Sequence, residues 1–150
     1  FGTVRSATVT QRWQKRTWNE WKEDEITSRD PDTDQTGPND SPAGDGIPNL
    51  LKYATGLDPL KPCGSVVQVT AEEAGGDACL VLGWPVNPEA TGIRHAVEAS
   101  EDLQTWTETA EVKTEGKSSA TFRDAVPMNA ESPRRRFLRL KISREGESPL

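Results

Sequence analysis

Gly44-Asp45-Gly46-Ile47-Pro48-Asn49-Leu50-Leu51-Lys52-Tyr53 is a turn that runs straight into a helix. Gly44 and Gly46 invite positive φ on either side of Asp45, and Pro48 presets the backbone angle of a first helical turn. Leu50, Ala54 and Leu57 repeat at i, i+4 and i+7, Gly56 sits near the stop, and Asp58-Pro59 forbids easy continuation. The stretch predicts a short helix over 48–56. Upstream of it the chain reads as helix and loop; downstream the hydrophobic period changes to two.

The loop that leads into this helix is rich in chain breakers. Asp-Pro, Gly-Pro, Ser-Pro and Gly-Asp-Gly fall between Thr27 and Gly46, with Asp30, Asp32, Asp34, Asp40 and Asp45 among them. A polar loop of this length inside a compact domain needs an organiser, and a cation is the natural one for so many carboxylates. An EF-type calcium loop takes oxygen ligands at positions 1, 3, 5, 7, 9 and 12, with glycine at 6. With Asp45 at position 5, Gly46 is the turn glycine, Ile47 offers its carbonyl and Asn49 stands at position 9. Positions 1, 3 and 12 are then Ser41, Ala43 and Lys52, and Asp40 is a substitute first ligand if the loop is one residue longer. Candidate calcium ligands are therefore Asp40, Asp45, Ile47 and Asn49. Lys52 is the alternative: an ammonium at position 12 repels a divalent ion by roughly 8 kcal/mol at ~4 Å and effective ε near 20, so it can point into the acidic loop and replace the metal.

Before this loop, Val9, Trp13, Trp18 and Trp21 share a broad arc at helical spacing and predict a helix over 9–27. Such a stripe is read first as core, and second as an exposed aromatic binding face made of Trp13, Trp18 and Trp21. After Gly64, short alternating runs follow at Ser65–Thr70, Ala78–Trp84, Arg94–Ser100, Thr105–Val112, Ser119–Arg123 and Arg135–Ser143. The expected fold is mainly β with a short α-helical N-terminal segment, the strands forming a small antiparallel β-sandwich of fibronectin type III or immunoglobulin-like kind. Its inner face would carry Leu80, Leu82, Trp84, Val97, Ala99, Phe122, Leu138, Leu140 and Ile142, with Arg139 and Lys141 outward. The division is 1–62 for the helical segment and 63–150 for the sandwich.

Composition narrows the function classes. The net charge is −6, with 33% hydrophobic and 28% charged residues. Acidic residues dominate from Glu20 to Asp45, and only basic charges occur from Arg134 to Arg144. These runs read as solvated faces that attract each other, and the acidic balance argues against nucleic acid. No apolar run reaches the ~20 residues of a membrane helix. A chain beginning at Phe1 fits a piece trimmed or excised from a longer product. Cys63 and Cys79 lack metal-ligand spacing, and a hairpin turning through Ala71 to Gly76 would set Cys79 opposite about Gln68, away from Cys63. No nucleophile elbow, phosphate-binding glycine loop or histidine-centred triad is present. His95 alternates with Val97 and Ala99 as a packed strand residue, and Glu72/Glu73 and Glu101/Asp102 read as solvated turns. The chain is expected not to be an enzyme.

From Trp18 to Pro59 and on through the β-rich remainder, the sequence resembles a C-terminal module of very large secreted proteins of the planctomycete-verrucomicrobia group. In that family a tryptophan-bearing helix precedes a calcium loop similar to those of thrombospondin type 3 repeats and dockerins. A segment like Pro48-Asn49-Leu50-Leu51-Lys52-Tyr53-Ala54-Thr55-Gly56-Leu57-Asp58-Pro59 follows, usually with glutamate where Lys52 stands. Val97-Glu98-Ala99-Ser100-Glu101-Asp102-Leu103-Gln104-Thr105-Trp106 and Arg136-Phe137-Leu138-Arg139-Leu140 continue the likeness. The resemblance implies secretion, attachment to a longer polypeptide and calcium-stiffened linkage; Ser41, Pro42, Ala43 and Lys52 depart from it in the ligand region.

The expected function is a non-catalytic extracellular or cell-surface structural module: a spacer, cap or assembly element, in its boldest form part of a surface fibre. Its partners would be other protein modules or copies of itself. One alternative is a carbohydrate-binding module, with Trp13, Trp18, Trp21, Trp84 and Trp106 as a stacking platform for polysaccharide. The other is a calcium-dependent docking module, for which Ca2+ would be the sole cofactor.

Overall fold

The computed structural model describes residues 14–128 and 135–146. Its elements are α1 (Trp18–Lys22) running into a π turn (Glu23–Thr27), α2 (Asn49–Thr55), and strands β1 (Gln68–Ala74), β2 (Asp77–Pro85), β3 (Ile93–Ser100), β4 (Thr107–Val112), β5 (Ser119–Arg123) and β6 (Phe137–Arg144). No helix among these residues is long and apolar enough to cross a membrane.

The first helix begins at Trp18 and residues 14–17 before it are not helical, so the helix is shorter there than expected; the stretch 9–13 lies outside the described residues. Thr17 is extended and caps the helix through a reciprocal box: its hydroxyl accepts from the Glu20 N–H, and the Glu20 carboxylate accepts from the Thr17 N–H. Arg16 is committed elsewhere, its N–H donating to the Glu89 carbonyl at 2.8 Å in a bridge beside Ala90. The second helix matches its expected span closely, entering through Pro48 and ending at a left-handed Gly56.

All six strands pair antiparallel, in two three-stranded sheets ordered β1-β2-β5 and β4-β3-β6. Leu82, Trp84 and Ala120 from the first sheet share one core with Val97 from the second, flanked by Phe122, Val112, Leu138 and Leu140. The β1–β2 turn lies at Gly75-Gly76, both at positive φ, a conformation glycine adopts without Cβ strain. It is later than expected, so Cys79 faces Glu72 rather than Gln68, and Glu72 and Glu73 are strand residues. Both cysteines are free. A second cluster of Trp18, Trp21, Ile26 and Tyr53 packs with Leu50, Leu60, Ala90 and Ile93, which seats the helices on the end of the second sheet.

Candidate functional site

Lys52 falls in the last turn of α2, facing the loop rather than solvent, and is fully buried. Its ammonium lies 2.8 Å from Asp45 Oδ2 and also donates to the carbonyls of Lys61 at 3.0 Å and Pro59 at 3.5 Å. Those three acceptors use all three of its N–H bonds. Asp45 Oδ2 further accepts from the Cys63 N–H at 2.9 Å, while Oδ1 accepts from Ser41 Oγ at 3.0 Å and the Ile47 N–H at 2.9 Å. A carboxylate has about four lone-pair sites, and here four donors take them. The Lys52 ammonium, joined by the backbone donors, holds the Asp45 carboxyl well below the usual carboxylate range.

Local backbone makes this geometry possible. Gly46 takes φ +76°, a left-handed turn that returns the chain so that Ile47 can donate to the Asp45 side chain. The pair then binds three segments together: the loop at 41–47, helix α2, and the connection at 59–63 that leads to β1. Buried ion pairs hold when every donor and acceptor is matched, as these are.

The other candidate ligands have separate engagements. Asp40 accepts from the Gly37 N–H at 2.8 Å through its carboxylate, and its carbonyl accepts from the Asn49 N–H at 2.8 Å. Asn49 is fully buried, and its amide donates to the carbonyls of Gln35 and Gly37 at 3.1 and 3.0 Å, clamping the loop as a donor. Among the described residues no group of three or more His, Cys, Asp or Glu side chains is placed to hold a metal.

The aromatic candidates are brought together, but inward. Trp18 and Trp21 stack at 5.5 Å and both meet Tyr53, at 5.7 and 5.4 Å, beneath the surface. Trp18 and Trp21 therefore take the first of the two readings, core, and not the alternative of an exposed binding face; Trp13 lies outside the described residues. Trp84 is buried too, donating to His95 Nδ1 at 3.2 Å, and the Trp106 ring is covered by the Arg139 guanidinium at 4.1 Å. Arg139 and Lys141 point outward as expected, where both bond the buried Glu98 carboxylate.

Tyr53, Arg16 and Asn87 carry the join between helices and sheets, and sequence reasoning assigned them no role. The Tyr53 hydroxyl sits between the carbonyls of Arg16 at 2.6 Å and Thr91 at 2.9 Å and accepts from the Thr91 N–H at 2.8 Å. Burial pushes its phenol up. Asn87 donates to the Tyr53 carbonyl at 2.8 Å, and Arg16 reaches Glu25 and Glu89 at 2.9 and 3.0 Å. No short motif marks these long-range partners; a tyrosine with a polar handle in an apolar helix face was the one available hint.

No family model matches the chain, and no curated protein or solved structure is significantly similar to it.

Proposed function

We propose that this chain is a non-catalytic structural module displayed outside the cytoplasm, a spacer or assembly element whose helical end is locked by an internal cation. The single observation that carries the reading is the Lys52–Asp45 pair. It ties loop, helix and the lead into β1 into one unit, which is what a bound calcium ion does for the loops it resembles. The ammonium supplies the charge, and the filled carboxylate leaves no lone pair for a metal ligand bond. The residues present do not fit calcium in this arrangement.

The strand order supports a small β-sandwich of fibronectin type III or immunoglobulin-like kind, in which the first, second and fifth strands share one sheet. Burial of Trp18, Trp21 and Trp84 speaks against polysaccharide stacking as the main task.

Thermal unfolding in calcium and in excess chelator is the direct test. Identical midpoints are expected. A midpoint raised by calcium would overturn the internal-cation reading in favour of calcium-dependent docking. Tryptophan fluorescence titrated with a panel of polysaccharides is expected to stay flat, and a saturable response would favour carbohydrate binding.

A further inference from the structure

The two sheets are offset. Cross-strand partners point to the same side, so Val69, opposite Leu82, and Ala71, opposite Leu80, belong to the inner face of β1. Leu82 is fully buried there, yet Val69 is 53% exposed and Ala71 is exposed as well. Between the sheets β2 lies against β6, and β5 delivers Ala120 and Phe122 to the core beside Val97 of β3. With β2 against β6, the edge of the second sheet, β1 on the far side of β2 reaches past β6 with no described strand beneath it. On the other flank the start of β4 overhangs: its inward Thr107, opposite Ala99, is exposed, while Val112 at its far end packs against the core. Each sheet overhangs the other on opposite sides, as in a half-lap joint.

The charges on the two outer strands are complementary. Both β4 and β6 pair only with β3 among the described residues, so each has one edge without a strand neighbour. On the outer face β4 carries Glu108 and Glu111 and no base, while β6 carries Arg139 and Lys141 and no acid. Inside the chain Glu108 and Glu111 share Arg94, with Lys113 also at Glu111, and Arg139 and Lys141 share Glu98. All four strand side chains stay partly exposed. Two β6 edges brought together would set Arg139 against Lys141, and two β4 edges would set acid against acid, both unfavourable. A β6 edge beside a β4 edge sets base against acid.

We propose that copies of this chain join edge to edge, β4 of one copy pairing with β6 of the next and sliding under the overhanging β1 to cover Val69. Because β4 and β6 both run antiparallel to β3, the new pair is parallel and the sheet continues from copy to copy. The two surfaces differ, so the contact is heterologous and leaves a free edge at each end, which gives a growing filament rather than a closed dimer. This deepens the structural-module reading and rests on it, naming the partner as a second copy.

The test uses the full chain in low salt, where surface charges are least screened, with mass followed by sedimentation as concentration rises. The mass is expected to climb past that of a dimer without a plateau and to fall back when salt is added. Val69→Lys and Thr107→Lys each alter an exposed residue on one side of the joint, so each is expected to keep its melting midpoint and remain monomeric. Mixed in equal amounts they are expected to form a dimer and nothing larger, since only one intact β6 edge and one intact β4 edge remain to meet. A wild-type chain that stays monomeric at millimolar concentration overturns the joint, as does assembly unchanged in both variants, or a mass that stops at a dimer. None of these outcomes touches the structural-module reading, which falls instead on polysaccharide binding or a calcium-raised midpoint.

Discussion

The helical end and the β1 flank of this molecule solve the problem of an unfinished surface in opposite ways. At the helical end, most buried polar and charged groups are matched: Lys52 with Asp45, Tyr53 with Arg16 and Thr91, Asn87 with the Tyr53 carbonyl, the Asn49 side-chain oxygen being an exception. At the flank, an apolar inner-face residue, Val69, is left half in water. Matched burial makes the first region intolerant of change, because removing one partner strands the other in a poor solvent. The flank has little to lose within a single copy. That asymmetry separates what holds this fold together from what it leaves available.

The sharpest way to break the comparison is Lys52→Ala. It strands Asp45 among donors without its counter-charge and empties a fully buried site. The melting midpoint is expected to fall by about 10 °C. A double replacement, Asp45→Asn with Lys52→Met, is expected to recover part of that loss, since a buried pair exchanged for neutral groups of similar volume costs less than half a pair. Equal losses in the single and double variants would show that packing, not charge, sets the value of this hub.

Val97→Ala tests the closed part of the sheets. Val97 is fully buried at the centre of the core, and losing its two methyl groups is expected to cost about 2 kcal/mol by urea unfolding.

His95 gives the closed core a pH signature. Burial lowers its pKa from 6.5 to about 4, because the charged ring would lose hydration without gaining a partner. The unfolded chain then binds more protons than the folded one between those values, so stability rises with pH across the window. The contribution is complete above pH 6.5 and is lost as pH falls toward 4. By pH 5 the loss is on the order of 2 kcal/mol. His95 is the sole histidine, so it dominates the slope between about pH 5.5 and 6.5; nearer pH 5 the carboxylates held low by their partners, Glu98 and Glu108 among them, add to it. His95→Asn keeps an acceptor for Trp84 and is expected to flatten that slope.

The parts of the fold readable from sequence are those where burial has a sharp period. From Arg94 onward the expected strands lie within two residues of the observed ones, because apolar and polar residues alternate along them, even in β3, which is buried on both faces with Glu98 paired to Arg139 and Lys141. β1 was placed too early for the same physical reason that makes it distinctive. Every described side chain in it is exposed, so no alternation separates strand from turn, and Glu72 and Glu73 read as polar connection. The helical rhythm of the tryptophans runs through residues 14–17, which are not helical. Thr17-Trp18-Asn19-Glu20 nevertheless spells a capping box, a local signal that outranks the rhythm. At the loop, spacing alone singled out Asp45 and Lys52. It did not reveal that Cys63 and Ser41 complete the shell around Asp45, since those contacts close only when the connection to β1 folds back.

The smallest effect is the most discriminating. Val69→Ala makes the same chemical change as Val97→Ala, on the same inner face of the paired sheets, one on each side of the boundary between closed and open. With Val69 half exposed, truncation is expected to cost no more than about 0.5 kcal/mol in dilute solution, within the range of ordinary surface changes. If instead both variants lose about 2 kcal/mol, β1 is covered within one copy and the distinction between the two regions collapses. If Val69→Ala is silent when dilute but costs stability at high concentration, the missing cover is supplied by association. The concentration dependence of that one small number therefore decides whether the open flank is a tolerated defect or half of an interface.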